Sequence, residues 1–453
     1  MKAPTPHLPR AAALCAPLLL AAILGVSVRA QGQSAPPPKS WIDPDTGHRV
    51  IRLSDSPGSD SFYFNVNGYT PDGKEMAFTV PAGIQVLNLD TMQSRPVVAG
   101  TGAEQTIVVG AKTPTIYYMK PTGDPFFQTL WATNIDTGAT REIGRLPRRA
   151  RISTINADET LGAGTYIEGD ASDGGAYDGT PRATPPNRMG GTNLGEAADK
   201  DAMMNTRLAA RLPNTLFTID LQTGEIKKLI EHSTDWLNHL QFSPSDPTLL
   251  MYCHEGHWQY VDRIWTIRTD GTKNQLVHKR MLKMETAGHE WWSGDGRTIW
   301  YQLRFPEQAY LPTGTGIIPD RSVPGATYLA GCNIETSERI WYHYNPDAAS
   351  IHHNTSRDGK LFCGDGTDSN PWIMICRPVA IPDDRTLGTN LINVGYFTVE
   401  RLVNMGLTPQ HGAQNYRLEP NPSFTPDGKW IIFRANFFGP DYPFAVELAP
   451  TSG

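Results

Sequence analysis

The sequence predicts an all-β chain folded as a seven-bladed β-propeller, and two recurring signals predict it. The first is a turn of the form Ser/Thr-x-Asp-Gly followed at once by an apolar run: TPDGKEMAFTV (70–80), SGDGRTIWYQL (293–303), SRDGKLFCGDG (356–366) and TPDGKWIIFRA (425–435). NADETLGAGTY (156–166) and SPSDPTLLMYC (243–253) are degenerate copies. The second is a strand that ends in a turn and restarts, as in NIDTGATREI (134–143), TIDLQTGEIKKLI (218–230), TIRTDGTKNQLV (266–277) and NIETSERIWY (333–342). Asp-Gly supplies the positive-φ step of a tight hairpin, and the runs between are short, β-branched and aromatic. Strand–turn modules repeating at roughly 45–65 residues are what propeller blades look like in sequence.

In chain order, residues 1–30 read as a signal peptide. Lys2 and Arg10 precede the apolar run AAALCAPLLLAAILGVSV, and Val28-Arg29-Ala30 offers a cleavage site. Residues 31–45 form a Pro-rich, flexible lead-in. The propeller then occupies 46–453, with modules at about 55–100, 101–147, 148–232, 233–280, 285–345, 348–400 and 417–450. The last module stops after FAVELAP (444–450), with no outer strand of its own. TGHRVIRLS (46–54) resembles the outer strand TGEIKKLIE (223–231) and is expected to complete that last blade, locking the ring. Blade three carries an insertion at about 168–212, expected to be a mobile loop or a lid. These features predict a periplasmic or secreted protein, not inserted in the membrane after signal cleavage and monomeric.

Composition excludes one class of partner. Charged residues make up 19% of the chain and the net charge is −6, with no basic stripe, so nucleic acid is not expected. Cys253, Cys332, Cys363 and Cys376 lie beyond the leader without a CxxC spacing, which argues against a thiolate zinc site. An oxidising compartment permits a disulfide, and Cys363 with Cys376 is the expected pair.

Chemistry concentrates between Trp236 and Trp292. His239, His254, His257 and His289 lie there among Glu255, Asp262, Glu290, Trp258, Trp291 and Trp292. Aromatics that merely fill blade cores, with solvated loop histidines, would be the bland explanation; four histidines in one part of a repeat array favour a site. Segments that open a blade approach the channel, and SIHHNTS (350–356) and YRLEPNPSFT (416–425) add candidates. His289, His352, His353, Glu419 and Asn421 come from consecutive blades. Within that group His289, His353, Glu419 and Asn421 form a mixed N/O set suited to a divalent ion, Mn²⁺ favoured and Ca²⁺ possible.

LLMYCHEGHWQYVDRIWTI (249–267), GHEWWSGDGRTIWY (288–301) and EPNPSFTPDGKWIIF (419–433) resemble the oligogalacturonate lyase family, over about 46–450. The PDGK turns are shared with many TolB-like propellers; the CHEG and GHE segments are more specific. The resemblance implies cleavage of uronic-acid oligosaccharides by β-elimination, with a Mn²⁺-type ion on the substrate carboxylate. It places a metal ligand at His289 and the base at His239, with His254 the next candidate. The family's remaining ligands, in a Q-x-x-H-x-H segment, fall on YRLEPN, so Tyr416 stands at the glutamine and Glu419 and Asn421 stand at the two imidazoles, which shifts the site toward oxygen-preferring ions. The family's blade-three arginine has no direct match; Thr215 is near that place, and Arg211 or Arg207 is expected to substitute. His257, Trp258, Arg263, Trp292 and His352 are further substrate-binding candidates. Tyr416, His254 or water would protonate the leaving O4. A non-enzymatic TolB-like propeller that binds a protein or glycan is the alternative. A prolyl-peptidase-type hydrolase would need a G-x-S-x-G elbow, which the chain lacks.

Overall fold

The computed structural model describes residues 37–168, 204–305, 309–313, 316–320, 326–367, 369–382, 392–406 and 419–449. The expected signal peptide, residues 31–36 of the lead-in, most of the 168–212 insertion and Tyr416 lie outside the described residues. No helix among the described residues is long and apolar enough to cross a membrane.

Both sequence signals are hydrogen-bonded turns. In the four full Ser/Thr-x-Asp-Gly copies, the hydroxyl of Thr70, Ser293, Ser356 or Thr425 donates to the aspartate two residues on, at 2.6–2.7 Å. The same oxygen accepts the N–H that starts the following strand. The glycine takes φ of 67–72°, a region that an L side chain rarely adopts. In the second signal, the side-chain oxygen of Asn134, Asp220 or Asn333 accepts the N–H groups two and three residues on.

The strands between these turns form antiparallel meanders. One four-stranded sheet is Arg151–Ile155, Leu161–Ile167, Asn214–Asp220 and Ile226–Ser233. The next is Leu237–Phe242, Leu249–His254, Ile264–Arg268 and Gln275–Leu276. The last contains Ser423–Phe424, Trp430–Ala435 and Tyr442–Glu447, and Arg49–Arg52 pairs onto its edge. The outer strand missing from that module is thus supplied by the start of the fold, and Ser40–Ile42 adds a further strand. Two features were not read from the sequence. Arg339–His343 pairs in parallel with Asn393–Asn404, joining two four-stranded meanders into one eight-stranded sheet. Ala309–Thr313 and Gly316–Asp320 form a separate hairpin.

Burial explains why the sheets stack. The middle strand Leu249–Cys253 is buried throughout, so both faces of its sheet are covered. Between successive sheets lies a cluster such as Met251, Trp292, Ile299 and Tyr301, or Leu216, Leu240, Phe242 and Tyr252. Among the described residues these clusters form a cycle, because Ile51, Met76, Phe78 and Ile432 join the last sheet to the first. Each fully buried aromatic or branched side chain contributes about 1.5–3 kcal/mol.

The expected disulfide is absent: all four described cysteines are free and buried. Cys363 pairs across the sheet with Ile375, while Cys376 pairs with Phe362. The two thiols therefore point to opposite faces. They belong to different interior clusters.

The segment Tyr63–Asn67 is hydrogen-bonded to several sheets. Asn65 donates to Glu290 O (3.2 Å) and accepts from Gln241 Nε2 (2.8 Å), and Asn67 donates to Val109 O (2.8 Å). Phe64 N–H donates to Asn421 Oδ1 (3.4 Å), and Asn354 donates to Phe64 O. A cavity of about 450 Å³ lies on the side of the Ser/Thr turns, lined by residues such as Asn156, Ser243, Ser293 and Thr425. His239, His289, His352 and Asn421 do not line it.

Candidate active site

Those four residues share one register. Each lies four positions before the Ser or Thr of its sheet's turn: His239 before Ser243, His289 before Ser293, His352 before Ser356 and Asn421 before Thr425. Three of them have positive φ: His239 (46°), His289 (51°) and Asn421 (49°). Register shifts between Asn238 and Gln241, and between Gly288 and Trp291, mark bulges at both histidines. Left-handed backbone at a non-glycine costs about 1–3 kcal/mol and gathers where a side chain must be aimed. The sequence holds this pattern, but only once the turns are used as a ruler across sheets.

His239 belongs to a charge network. Its Nε2–H donates to Glu255 Oε2 at 3.0 Å, and its side chain is 37% exposed. No described residue bonds Nδ1. Glu255 is buried and also receives Trp258 Nε1–H (3.3 Å), Asn238 Nδ2–H (3.3 Å) and the Arg263 guanidinium (3.4 Å). Arg263 grips Glu290 from the other side, at 3.2 and 3.4 Å. Burial favours the neutral acid at Glu255, yet Arg263 and His239 hold its carboxyl well below the usual range. Burial likewise opposes charge on His239, and the Glu255 carboxylate outweighs it, so the imidazole pKa lies above its ordinary value. His239, Cys253 and Glu255 place donor atoms within 4.8 Å of one another. Arg263 already fills the cation's place there, so this cluster fits a base and its carboxylate better than a metal.

His289 sits in the opposite environment. Its Nδ1 lies 3.2 Å from Gln302 Oε1, while Gln302 Nε2–H donates to Ser350 O (2.8 Å). The amide oxygen must therefore accept, which leaves a lone pair on His289 Nε2. Burial, then His352, Arg304 and Arg263, hold its pKa well below the ordinary value. Its ring centroid is 4.7 Å from that of His352. His352 is fully buried, with Nδ1 2.7 Å from Asp365 Oδ2 and no partner on Nε2. Two imidazoles bound cis to one ion, with ligand bonds of about 2.0–2.2 Å, have ring centroids roughly 4.5–5 Å apart. The donor set thus fits a divalent ion.

The other expected residues divide. Trp258 joins the Glu255 network. His254 faces away from it, stacked on Trp265 (5.0 Å), and its Nδ1 is 3.7 Å from Asp235. Arg211 lies 3.6 Å from the same Asp235, and Arg207 sits over the Trp236 ring at 4.2 Å. Arg263 is 4% exposed and held by two carboxylates, so it supports the site without an open face for substrate. His257 is buried beside Gln259, Trp258 and Tyr260. Trp292 is an interior residue whose indole N–H donates to Gln241 O (3.1 Å), so it packs between sheets. His353 lies in the core, 2.8 Å from Tyr344 Oη and stacked on Phe397, because adjacent strand residues face opposite ways. Glu419 is exposed, and its backbone oxygen accepts from Asn421 and Arg434; Arg434 pairs with Asp60.

Four residues were missed. Asp365 and Gln302 orient the imidazoles. Arg304 is exposed, donates to Gln302 Oε1 (2.7 Å) and has no acidic partner among the described residues. Tyr63, also unread, packs 5.3 Å from His352; burial and then Glu419 and Glu290 keep its phenol protonated.

A family model described as oligogalacturonate lyase matches residues 205–451. The chain is 30% identical to an oligogalacturonide lyase of Pectobacterium atrosepticum over 234 residues, 49% of this chain and 53% of that protein, about half its length. It is 25% identical to an oligogalacturonate lyase of Dickeya dadantii over 428 residues, 88% of this chain and 93% of that protein. A solved oligogalacturonate lyase in complex with manganese matches with a TM-score of 0.64 at 22% identity, covering 90% of this chain and 96% of that one. At that identity the likeness speaks for the fold, an all-β propeller.

Proposed function

The chain belongs to the oligogalacturonate lyase family, a family of carbon–oxygen lyases, and from that premise we propose that it cleaves pectic oligogalacturonate-like oligosaccharides by metal-assisted β-elimination. The observation that carries this reading is the His239–Glu255 pair, a half-exposed imidazole whose second nitrogen is held by a buried carboxylate. We read the ring as seven blades, counting the eight-stranded sheet as two. The leader sequence at 1–30 supports export to the periplasm or out of the cell.

The proton on C5 of a uronate is poorly acidic, and its removal builds charge on the adjacent carboxylate. His239 takes that proton at Nδ1, since Nε2–H is committed to Glu255, and Glu255 stabilises the imidazolium that forms. Arg304, exposed beside Gln302 and unpaired with any described acid, orients and neutralises the carboxylate. When bound, a divalent ion such as manganese supplies further Lewis-acid stabilisation there, held from the His289 side. Tyr63 retains its proton and is the group we assign to protonate the leaving O4.

The test is a panel of uronate oligomers followed by ultraviolet absorbance of the unsaturated product. Oligogalacturonate should give product, lose it with chelator and regain it with Mn²⁺. No product from any uronate would favour the non-enzymatic binding protein.

A further inference from the structure

Resting on the metal-assisted reading above, we infer that His352 is the second imidazole ligand of the divalent ion, held by Asp365 and acting beside His289 and the Asn421 amide oxygen. The starting point is an orphan. His352 is 0% exposed and its Nε2 has no hydrogen-bond partner. A buried polar atom left so costs about 1–3 kcal/mol and calls for an explanation.

Asp365 shows which explanation fits. Its Oδ1 accepts Ser350 Oγ–H (2.9 Å), Ile351 N–H (3.2 Å) and His352 N–H (2.8 Å), and its Oδ2 faces His352 Nδ1 (2.7 Å). So many donors mark an ionised acceptor, and Nδ1 must carry the proton. Nε2 then keeps its lone pair. A carboxylate behind the remote nitrogen of an imidazole is the usual support of a metal-bound histidine. His289 repeats the arrangement with Gln302 in place of the carboxylate.

Asn421 supplies the oxygen. It occupies the same register in the adjoining sheet, and its Oδ1 accepts only the long 3.4 Å bond from Phe64, whose ring lies 5.1 Å from His352. Two nitrogens and one amide oxygen suit a transition-metal ion, Mn²⁺ included, better than Ca²⁺, which takes oxygen ligands throughout. Of the three residues His289 is the partly exposed one, so the open coordination positions face the side that a substrate reaches. His353 Nε2 is also unpartnered, but its ring faces the core, with Nδ1 on Tyr344 and the ring stacked on Phe397, so it is not a ligand. An ordered water on Nε2 is the rival explanation.

The experiment is Mn²⁺ binding to the full chain, stripped of ions and reloaded, read by electron paramagnetic resonance with pulsed detection of imidazole nitrogen. Wild type should show two coordinated imidazoles. His352→Ala should show one and bind at least about tenfold more weakly. Asp365→Asn, which keeps the volume but offers an N–H to Nδ1, should bind about 10- to 100-fold more weakly. It decides the matter if His352→Ala does not fold, as judged by thermal melting. Exposed His343→Ala should bind as wild type. Unchanged affinity and two nitrogens in both His352→Ala and Asp365→Asn would overturn the inference and leave the metal-assisted reading standing. Absence of Mn²⁺ binding by the wild type would overturn both.

Discussion

His239 and His289 hold the same register in successive meanders, have nearly the same positive φ and sit in the same kind of bulge. They differ in what the neighbouring strand presents. Glu255 faces His239, while Gln302 and Arg304 face His289. A carboxylate favours the imidazolium, so His239 is suited to take up a proton. Burial, then His352, Arg304 and Arg263, disfavour it at His289, and the Gln302 amide oxygen offsets only part of that, so His289 is suited to offer a lone pair. The fold aims the imidazole, and its burial and the charges around it decide its chemistry.

Removing the base should have the largest effect. His239→Asn keeps a side chain that tolerates left-handed backbone and should lower kcat by at least about 100-fold, the scale of a lost general base. Its melting temperature should stay close to wild type. Turnover near wild type would remove His239 from the mechanism.

Arg304→Ala follows. A charge-assisted hydrogen bond to the substrate carboxylate contributes about 1.5–3 kcal/mol, so kcat/KM should fall roughly 10- to 150-fold. Arg304→Lys should recover part of that loss. Equal kinetics in both variants and wild type would leave the carboxylate to other groups.

Glu255→Gln shifts a pH profile. Without the carboxylate the His239 pKa drops, so the acid limb of kcat/KM should move to lower pH, while the maximum rate falls. Stability should respond with opposite signs at the two groups. Glu255 titrates lower when folded, so its stabilisation is full above the ordinary carboxylate pKa and is lost as pH falls through the folded value. His239 titrates higher when folded, so its contribution is full below the ordinary imidazole pKa and is lost as pH rises through the raised value. Urea melts of wild type and Glu255→Gln across pH measure both.

The smallest expected change comes from making the two sites alike. Gln302→Glu should raise the His289 pKa by placing a carboxylate where the amide was, with Arg304 offsetting part of the rise. The fall in kcat at neutral pH should be smaller than that of His239→Asn, since His289 is not the base.

The repeat made most of the fold legible. The turns carry their own hydrogen bonds in sequence, from Thr70 to Asp72 and from Thr425 to Asp427, so module boundaries and the closing strand could be read directly. The parallel join between Arg339–His343 and Asn393–Asn404 could not, because it pairs edges of two separate meanders and leaves no local pattern. His239 and His289 were singled out because they lie in unusual segments. That His352 lies against His289 while His353 faces the core was not legible, because side-chain direction depends on strand phase, which a pair of adjacent histidines does not reveal. Trp292 looked like a sugar platform for the same reason, since an aromatic beside a site and one beneath it read alike.

The division of labour between the two histidines is tested most directly by a nuclear magnetic resonance titration of their side-chain ring nitrogens in the ion-free protein. His239 should titrate above the ordinary imidazole pKa, with the signal of a protonated Nε2 throughout. His289 should remain neutral until well below that value, with Nδ1 protonated and Nε2 bare. A His289 that titrates at or above His239 would contradict the account.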